Sequence, residues 1–320
     1  MLILWHFFFN DRDFSLFELE YFGKGIKQYS GKVVWIVGAS TDLGQSIALE
    51  LASVGAKIVL SARRTHILQK LKADCAENSK GKLSESNILV LPLSITEMNE
   101  EYVQTVIEHF GEIDVFIVNT SHIELGEACN SSIGMDKAIF DVNFFGNIFL
   151  VKKVVNHFKE TNGGQIIVVS SISGKFGIPG QAAASATKQA LNMYLEVLRL
   201  ECAGHKIYVT TVCLGLIASS VSDHSILAGT SLITPEEQLK MTQKGLKTKR
   251  CAHLVLIAGA NRCTECWVSN QPFLFLIYLA QYSPWIHRII MSYIFSDERL
   301  EKIYDGKSPN IWMWKPLIVI

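Results

Sequence analysis

Short, wholly apolar runs alternate along the chain with longer stretches whose apolar residues recur at helical spacing. The first run covers residues 33–37, and a glycine-bearing turn and a helical stretch over 43–54 follow it. An unbroken apolar run of this length is typical of a strand buried on both faces. Further strands are predicted at 57–61, 87–92, 114–119, 165–170, 206–213 and 266–269. Because helical stretches separate most of them, the pattern predicts one α/β domain built on a doubly wound parallel sheet.

The alternating pattern stops near both ends of the chain. Residues 1–9 are apolar except for His6, which is too few for a membrane-spanning helix, and they lack the basic start and cleavage site of a signal peptide. Beyond residue 270, two apolar stretches lie on either side of Pro284. We therefore predict an apolar N-terminal lead over 1–30, the α/β domain over 31–270, and an apolar helical extension over 271–320.

The C-terminal stretches combine aromatic and aliphatic residues with a few cationic ones. Pro284, together with His287 and Arg288, argues against a helix that crosses a membrane. The composition fits a pair of helices lying in a membrane interface, so a membrane surface is a predicted partner. The alternative is that these helices bury the same face against the protein itself or against a second subunit.

Charge and cysteine content narrow the classes of partner. The chain has 30 Lys and Arg against 30 Asp and Glu, a formal net charge of +0, so nothing favours a nucleic acid. Its seven cysteines do not indicate a disulfide framework. Cys263 and Cys266 form a lone CxxC without the further ligands that a zinc site requires. We expect no metal site and interpret the cysteines as thiols of a reducing compartment.

The turn after the first predicted strand has the character of a phosphate-binding loop. It reads Gly38-Ala39-Ser40-Thr41-Asp42-Leu43-Gly44 and leads directly into a helix. Glycines allow the backbone to approach a pyrophosphate, and the helix N-terminus offers N–H groups and partial positive charge. Asp42 suits a first helical turn, but its carboxylate has the same sign of charge as phosphate. The predicted cofactor contacts are Gly38, Ser40, Thr41, Leu43 and Gly44; a well-capped strand–helix turn is the alternative.

The end of the second predicted strand indicates which dinucleotide such a turn would hold. An NAD-preferring site has an acidic residue near position 62 to bind the ribose 2′-hydroxyl, whereas this chain has Ala62 followed by Arg63 and Arg64. Arginine suits a 2′-phosphate, and Ser40 can add a hydrogen bond. We therefore predict NADP(H) as the cofactor, with a solvated helix start as the alternative role of the two arginines.

The segment from Ser171 to Lys188 carries the most specific signal in the chain. Ser171, Ala184 and Lys188 have the spacing of Ser-x12-Tyr-x3-Lys, and this segment resembles the catalytic segment of the short-chain dehydrogenase/reductase family, with Ala184 in place of the tyrosine. The glycine turn resembles the family's Thr-Gly-x3-Gly-x-Gly, and Asn143 matches its catalytic asparagine. The resemblance covers about 32–269 and implies the Rossmann form of the doubly wound sheet.

The resemblance also implies a branch of the family and a set of partners. Residues 59–64, 170–179 and 266–274 resemble the microsomal branch that contains dehydrogenase/reductase member 7 and the 11β-hydroxysteroid dehydrogenases. This implies association with the endoplasmic reticulum membrane, with the cytoplasm as the alternative location. It also implies a small apolar carbonyl or alcohol ligand of the steroid, retinoid or xenobiotic type. The family commonly forms homodimers, so a homodimer is expected by analogy.

Individual positions of this sequence take their expected roles from the same resemblance. The implied catalytic residues are Ser171, Lys188 and Asn143, and Asn119 and Lys188 join the implied cofactor contacts. The family's pattern is broken at Ser94, at Thr120-Ser121-His122 and at Leu214. Residues 218–247 are expected to cover the ligand pocket, although they carry no chemical signature of the ligand.

Ala184 decides between two hypotheses of function. The tyrosine of this family transfers a proton, whereas alanine has no donor, acceptor or titratable proton. Loss of a positioned general acid typically lowers a rate by about 10²–10⁴. The first hypothesis is therefore a catalytically impaired or inactive protein that binds a cofactor, lipid or partner at a membrane. The second is a functioning NADP(H)-dependent oxidoreductase with a modified proton path, for which His122 is the nearby titratable candidate.

Overall fold

One sheet of parallel strands organises the chain. The computed structural model describes residues 10–124, 126–218 and 245–295. The strands are β1 (Val33–Val37), β2 (Lys57–Ser61), β3 (Ile88–Val90), β4 (Val115–Val118), β5 (Gly164–Ser171), β6 (Ile207–Leu214), β7 (Ile217–Ala218), β8 (Leu246–Lys247) and β9 (Glu265–Val268). The main sheet has seven strands in the order β3-β2-β1-β4-β5-β6-β9, and β7 pairs with β8. The predicted doubly wound parallel sheet is confirmed.

Helices cover both faces of the sheet. They are α1 (Phe14–Phe22), α2 (Asp42–Val54), α3 (Thr65–Asn78), α4 (Glu101–Phe110), α5 (Ile133–Phe140), α6 (Asn147–Glu160), α7 (Ala182–Glu201), α8 (Thr248–Ala260), α9 (Phe273–Tyr282) and α10 (Pro284–Ile294). A π-helical turn, Asp141–Gly146, joins α5 to α6. Apolar side chains of α2, α3 and α8 pack on one face of the sheet, and those of α4, α6 and α7 on the other.

The central strand β1 contributes side chains to both cores. Val34 and Ile36 belong to the core shared with α2 and α8, whereas Val33, Trp35 and Val37 belong to the core shared with α6 and α7. Successive side chains of a strand point to opposite faces, so a strand covered on both sides has no solvent-exposed position for a polar residue. The unbroken apolar run that predicts this strand is therefore explained by burial on both faces.

Five strands differ by one or two residues from the predicted ranges. At β4, β5 and β9 the difference is one residue at each end. β3 is limited to Ile88–Val90 instead of 87–92, and the proline at position 92 lacks the N–H that a strand ladder uses. β6 begins and ends one residue later than predicted, at Ile207–Leu214. The short pair β7 and β8 was not predicted, because two-residue strands leave no periodic pattern in a sequence.

Residues 10–29, which the sequence pattern assigns to the N-terminal lead, pack against the α/β domain. Arg12 forms an antiparallel bridge with Val268 at the edge of the sheet. Arg250 of α8 forms an ion pair with Asp11, with 2.8 Å between Nε and Oδ2. The charged residues that follow the apolar start thus attach this segment to the last strand and to α8.

The described part of the predicted C-terminal extension, residues 271–295, contains the helix pair α9 and α10. The hydroxyl of Tyr278 accepts the amide of Phe14 at 2.9 Å, and Leu274 and Ile277 pack against Ile172. The helix pair therefore contacts both the N-terminal segment and the residues that follow β5. Among the helices of the described ranges, none is both long enough and apolar enough to cross a membrane.

Three predicted segments lie outside the described residues. They are residues 1–9 of the N-terminal lead, residues 219–244 of the expected pocket cover, and residues 296–320 of the C-terminal extension. The predictions made for these segments stay predictions.

Candidate functional site

Two adjoining cavities lie at the carboxyl ends of the strands, where open α/β sheets bind their ligands. The cofactor cleft is defined by Val37, Gly38, Ser40, Thr41, Ala62, Arg63, Arg64, Leu93, Ser94, Ile95, Thr96, Asn119, Thr120, Ser121, His122 and Val142. The ligand cavity is defined by Thr41, Leu43, Asn119, Thr120, Ser121, Ile123, Val169, Ser170, Ser171, Ile172, Ile178, Gln181, Lys188, Leu214, Gly215, Leu216 and Ile217. Thr41 and residues 119–121 belong to both sets, so the two cavities share a wall.

The turn between β1 and α2 is held in one conformation by close packing and hydrogen bonds. Gly38 has φ +88°, and a Cβ there would lie 2.1 Å from the carbonyl oxygen of Asn119. A Cβ on Gly44 would lie 2.3 Å from the carbonyl oxygen of Gly38. The Thr41 hydroxyl caps α2 by accepting the amide of Gly44 at 3.0 Å, and Asn119 donates to that hydroxyl at 2.9 Å. The structure therefore brings these four predicted cofactor contacts together.

Asp42 is the first residue of α2 and is not among the residues that define either cavity. A carboxylate in the first turn of a helix interacts favourably with its N-terminus. The Asp42 carboxylate, for which repulsion of a phosphate was predicted, is therefore not part of the lining of the cofactor cleft. Leu43, a predicted cofactor contact, belongs to the ligand cavity instead.

Two arginines at the end of β2 belong to the cofactor cleft. The Arg64 guanidinium donates to the Ser40 hydroxyl at 3.2 Å and to the Ser40 carbonyl oxygen at 2.8 Å. The Nη2 atom of Arg63 lies 3.4 Å from Nε2 of His122. The residues that define this cleft include both guanidinium groups and no carboxylate, so its charge suits an anion such as a 2′-phosphate.

His122 belongs to the cofactor cleft and not to the ligand cavity. Burial and the nearby positive charge of Arg63 lower the pKa of His122 to about 4. Its imidazole is therefore neutral at physiological pH. The sequence hypothesis that His122 donates a proton to a ligand gains no support from this position, because the ring carries no extra proton and stands in the neighbouring cavity.

Ser171 ends β5 and belongs to the ligand cavity. Its hydroxyl oxygen accepts the amide of Ser173 at 3.1 Å and the hydroxyl of Ser173 at 3.0 Å. A serine hydroxyl has two acceptor lone pairs and one donor, so these two bonds leave the proton to be donated. The geometry suits Ser171 to donate a hydrogen bond to a carbonyl oxygen in the cavity.

Lys188 reaches the ligand cavity from α7 and is only 3% exposed. Among the described residues that define this cavity, Lys188 is the one with an ionisable side chain. Burial lowers the pKa of Lys188 to about 8, because a low-dielectric environment disfavours the charged ammonium. The structure thus brings the predicted residues Ser171 and Lys188 into one cavity.

Ala184 lies one helical turn before Lys188, is 4% exposed, and packs against Ile139 and Ala183. Its amide donates to both carboxylate oxygens of Glu124, at 3.0 and 3.1 Å. Glu124 is 6% exposed and caps α7 from the loop that follows β4. Sequence reasoning missed Glu124, because the contact joins positions 60 residues apart and no local pattern marks it.

Asn143 lies in the π-helical turn and is not among the residues that define either cavity. Its side-chain oxygen accepts the amide of His122 at 2.7 Å. Its side-chain amide donates to the His122 carbonyl at 2.8 Å and to the Thr187 hydroxyl at 3.1 Å, which uses both of its donors. Asn143 thus ties the turn after β4 to α7, and its predicted catalytic role stays a prediction.

Comparison with known proteins agrees with this architecture. A family model described as short chain dehydrogenase matches residues 32–227. The chain is 35% identical over 278 residues to Dehydrogenase/reductase SDR family member 7 from Homo sapiens, covering 86% of this chain and 81% of that protein. It is 30% identical over 267 residues to Dehydrogenase/reductase SDR family protein 7-like from Drosophila melanogaster, covering 83% of this chain and 81% of that protein.

A solved structure described as that of a short-chain alcohol dehydrogenase from Sinorhizobium meliloti 1021 has a similar fold. The TM-score is 0.66, over 78% of this chain and 99% of that chain. At 19% sequence identity, this likeness shows the fold alone. The range 32–227 matched by the family model includes every described residue that defines the cofactor cleft and the ligand cavity.

Proposed function

The chain belongs to the short-chain dehydrogenase/reductase family, and on that basis we propose that it is a member with impaired hydride transfer that binds NADP(H) and a small apolar ligand. The observation that carries the proposal is Ala184, which stands at the tyrosine position of the family's catalytic segment and has no proton donor. Ser171 and Lys188 remain in the ligand cavity, so binding there does not depend on the missing phenol.

Several features of the cofactor cleft support a dinucleotide that carries a 2′-phosphate. Gly38 and Gly44 leave no side chain on a turn where a Cβ would collide with backbone, and the N-terminus of α2 offers amides to a pyrophosphate. Arg64, held by Ser40, can pair with the 2′-phosphate. Lys188 would hold the ribose beside the ligand cavity. The bound cofactor supplies a hydride there.

Reduction of a carbonyl requires a proton as well as a hydride. Ala184 cannot supply it, and His122 is neutral and belongs to the other cavity. Ser171 can polarise the carbonyl oxygen by a hydrogen bond, which stabilises developing charge without replacing a general acid. We therefore expect a turnover rate about 10²–10⁴ below that of a family member with the tyrosine.

One observation favours the alternative function, an active NADP(H)-dependent oxidoreductase acting on steroid, retinoid or xenobiotic carbonyl or alcohol groups. Lys188 belongs to the ligand cavity, and its pKa is lowered to about 8. A general acid is most effective when its pKa lies near the working pH, so a Lys188 ammonium can in principle release a proton to a carbonyl oxygen. Rapid turnover by the wild-type chain would establish this alternative.

The C-terminal helix pair supports a location at a membrane surface, which we propose is that of the endoplasmic reticulum. Tyr282, Trp285, Ile289 and Tyr293 are each more than half exposed. Exposed Arg288 lies between them in sequence on α10. Trp and Tyr side chains combine an apolar body with a polar tip, which suits them to the boundary between lipid and water.

The same helix pair contacts the wall of the ligand cavity. Ile172 and Ile178 belong to that wall and pack in one cluster with Leu274 and Ile277 of α9. A helix pair that lies on a membrane would therefore place the cavity next to the lipid phase. This arrangement supports a small apolar carbonyl or alcohol compound as the ligand.

A second exposed apolar face supports the expected homodimer. Met193, Val197 and Leu200 are exposed on α7, and their spacing places them on one side of the helix. Exposed apolar side chains that share a face are a common mark of a protein interface. We therefore propose that two copies of the chain associate through this side of α7.

Binding of NADPH to the purified chain tests the proposed function, measured by quenching of tryptophan fluorescence and by thermal shift. We expect saturable binding of NADPH, weaker binding of NADH, and near-background turnover of a panel of steroid, retinoid and aromatic carbonyl compounds. Absence of NADPH binding would refute the proposal that the cofactor cleft still binds NADP(H). Rapid oxidation of NADPH by any member of the panel would refute impaired hydride transfer and support the alternative.

A further inference from the structure

Lys188 stands in the ligand cavity without an acidic neighbour in its lining. None of the described residues that define the cavity is Asp or Glu, and apolar side chains such as Leu43, Ile172 and Leu214 form much of its wall. Lysines are rarely this buried unless they pair with a carboxylate. A desolvated lysine in an apolar pocket is instead the arrangement in which the amine acts as a nucleophile towards carbonyl compounds.

We propose that Lys188 captures small apolar aldehydes or ketones as a reversible imine in the ligand cavity. The occupant we propose is uncharged, because the part of the cavity lining that the structure describes offers it no ionic partner other than Lys188 itself. This activity is separate from the proposed binding of a dinucleotide and from hydride transfer. It requires only the amine, the cavity and the carbonyl compound.

The neutral amine is the reactive form of lysine, and the cavity favours it. Burial lowers the pKa of Lys188 from the ordinary value of 10.5 to about 8. Roughly a tenth of the Lys188 side chains are therefore unprotonated at pH 7, where an exposed lysine is almost fully protonated. The cavity lining thus activates the side chain without a separate base.

Ser171 is placed to assist the addition. The lone pair of Lys188 Nζ attacks the carbonyl carbon while the π electrons move to the oxygen, to which the Ser171 hydroxyl donates a hydrogen bond. A proton passes from nitrogen to that oxygen and gives a carbinolamine. The C–O bond then breaks, the hydroxyl leaves with the second nitrogen proton as water, and the C=N bond forms. No oxidant or reductant takes part, and hydrolysis reverses the step.

The alanine at position 184 favours this reaction. Ala184 packs against Ile139 and Ala183 and is not among the described residues that define the ligand cavity. Because residues four apart on a helix share a face, a longer side chain at position 184 would extend towards Lys188. A phenol there would offer the amine an acidic hydrogen-bond partner and would occupy the adjoining space. Alanine does neither, so the substitution that impairs proton transfer leaves the amine accessible to a carbonyl carbon.

Reductive trapping on the full-length protein without cofactor tests the proposal. Octanal is added with sodium cyanoborohydride, which converts an imine into a stable secondary amine, and labelled lysines are located by peptide mass spectrometry. We expect initial labelling at Lys188 to exceed that at exposed Lys70 by at least about tenfold, because desolvation activates the amine. The labelling rate at Lys188 should rise with pH with a midpoint near 8.

Two variants separate the proposed chemistry from general reactivity. Ser171→Ala should slow labelling of Lys188 by about tenfold or more through loss of its hydrogen bond to the carbonyl oxygen, whereas Ser53→Ala on α2 should leave the rate unchanged. Labelling of Lys188 no faster than Lys70 in the folded protein, or a preference that survives unfolding in urea, would overturn the proposal. Because NADPH binding is measured separately, that failure would be distinguishable from failure of the proposed function.

Discussion

The carboxylate of Glu124 accepts the backbone amide of Ala184 through both of its oxygens, at 3.0 and 3.1 Å. An acidic side chain at a helix N-terminus satisfies a free amide and interacts favourably with the partial positive charge there. Glu124 therefore fixes the start of α7 at the position where the sequence resemblance predicts that alanine replaces a catalytic tyrosine. The backbone that carries Lys188 is maintained by Glu124 and not by the side chain at position 184.

Replacement of Glu124 should destabilise the fold. Glu124→Ala removes the cap and leaves the buried Ala184 amide without a partner, so we expect the free energy of unfolding to fall by about 1–3 kcal/mol. Glu124→Gln should cost less, because its amide oxygen still accepts the bond. Urea unfolding measures the change, and Glu112→Gln, at an exposed position, serves as the control. Equal stability of Glu124→Ala and the control would show that the cap is unimportant.

Removal of the Arg64 guanidinium should weaken the binding of NADPH more than the binding of NADH. Hydrogen bonds between charged groups contribute about 1.5–3 kcal/mol, so Arg64→Ala should raise the dissociation constant for NADPH by about tenfold or more and change that for NADH little. Fluorescence titration measures both constants. Arg262→Ala is the matched control, because Arg262 stacks on Tyr208 at 3.7 Å and does not belong to the cofactor cleft. An equal loss of affinity for NADPH and NADH would argue against a 2′-phosphate site at Arg64.

Burial of Lys188 should make the free energy of unfolding increase as the pH rises above about 8. The folded-state pKa is lowered to about 8, so the cost of burying the ammonium is complete below pH 8. This cost is relieved as pH rises from about 8 towards 10.5, because there the unfolded chain binds more protons than the folded one. At pH 7, the free energy of unfolding of Lys188→Met should therefore exceed that of wild type by up to about 3 kcal/mol.

The advantage of Lys188→Met should shrink by pH 10, and urea unfolding at the two pH values measures it. Lys70→Met, at an exposed position on α3, should show no such pH-dependent difference. A difference between Lys188→Met and wild type that stays constant from pH 7 to pH 10 would mean that Lys188 is not desolvated in solution.

Exposed aromatic residues of α10 should mediate membrane binding. Replacement of Trp285 and Tyr293 together by serine should lower cosedimentation with vesicles of phosphatidylcholine and phosphatidylserine by about tenfold or more, because each buried apolar side chain contributes about 1.5–3 kcal/mol. The matched control replaces Phe22 of α1 and Ile133 of α5, which are also more than half exposed and lie outside the α7 face proposed to form the dimer. Equal losses in the two double variants would count against a specific membrane face.

The α/β sheet could be predicted because its strands are buried on both faces. That environment removes polar residues from the whole of β1, and the resulting apolar run is visible without any partner strand. The cofactor turn could be predicted for a similar reason, since the close approach at Gly38 and Gly44 excludes every side chain. Both signals are local in sequence, although both have their cause in the folded structure.

Other features of the site depend on contacts that no local pattern records. In the sequence, nothing distinguishes Glu124 from other polar loop residues, and only the folded chain places it against the start of α7. Asn143 was predicted from the resemblance, but it does not belong to either cavity, and its hydrogen bonds join His122 of the turn after β4 to Thr187 of α7. Asp11 likewise follows an apolar start, and only the folded chain shows that it pairs with Arg250 of α8.

The rate of NADPH oxidation by wild type and by Ala184→Tyr, measured side by side with the same panel of apolar carbonyl compounds, tests the central claim most directly. Circular dichroism and NADPH binding first confirm that both proteins are folded and loaded. The account predicts that Ala184→Tyr exceeds wild type by about 10²–10⁴ in turnover, because a phenol restores the general acid beside Lys188. Wild-type turnover that equals or exceeds that of Ala184→Tyr would contradict the account.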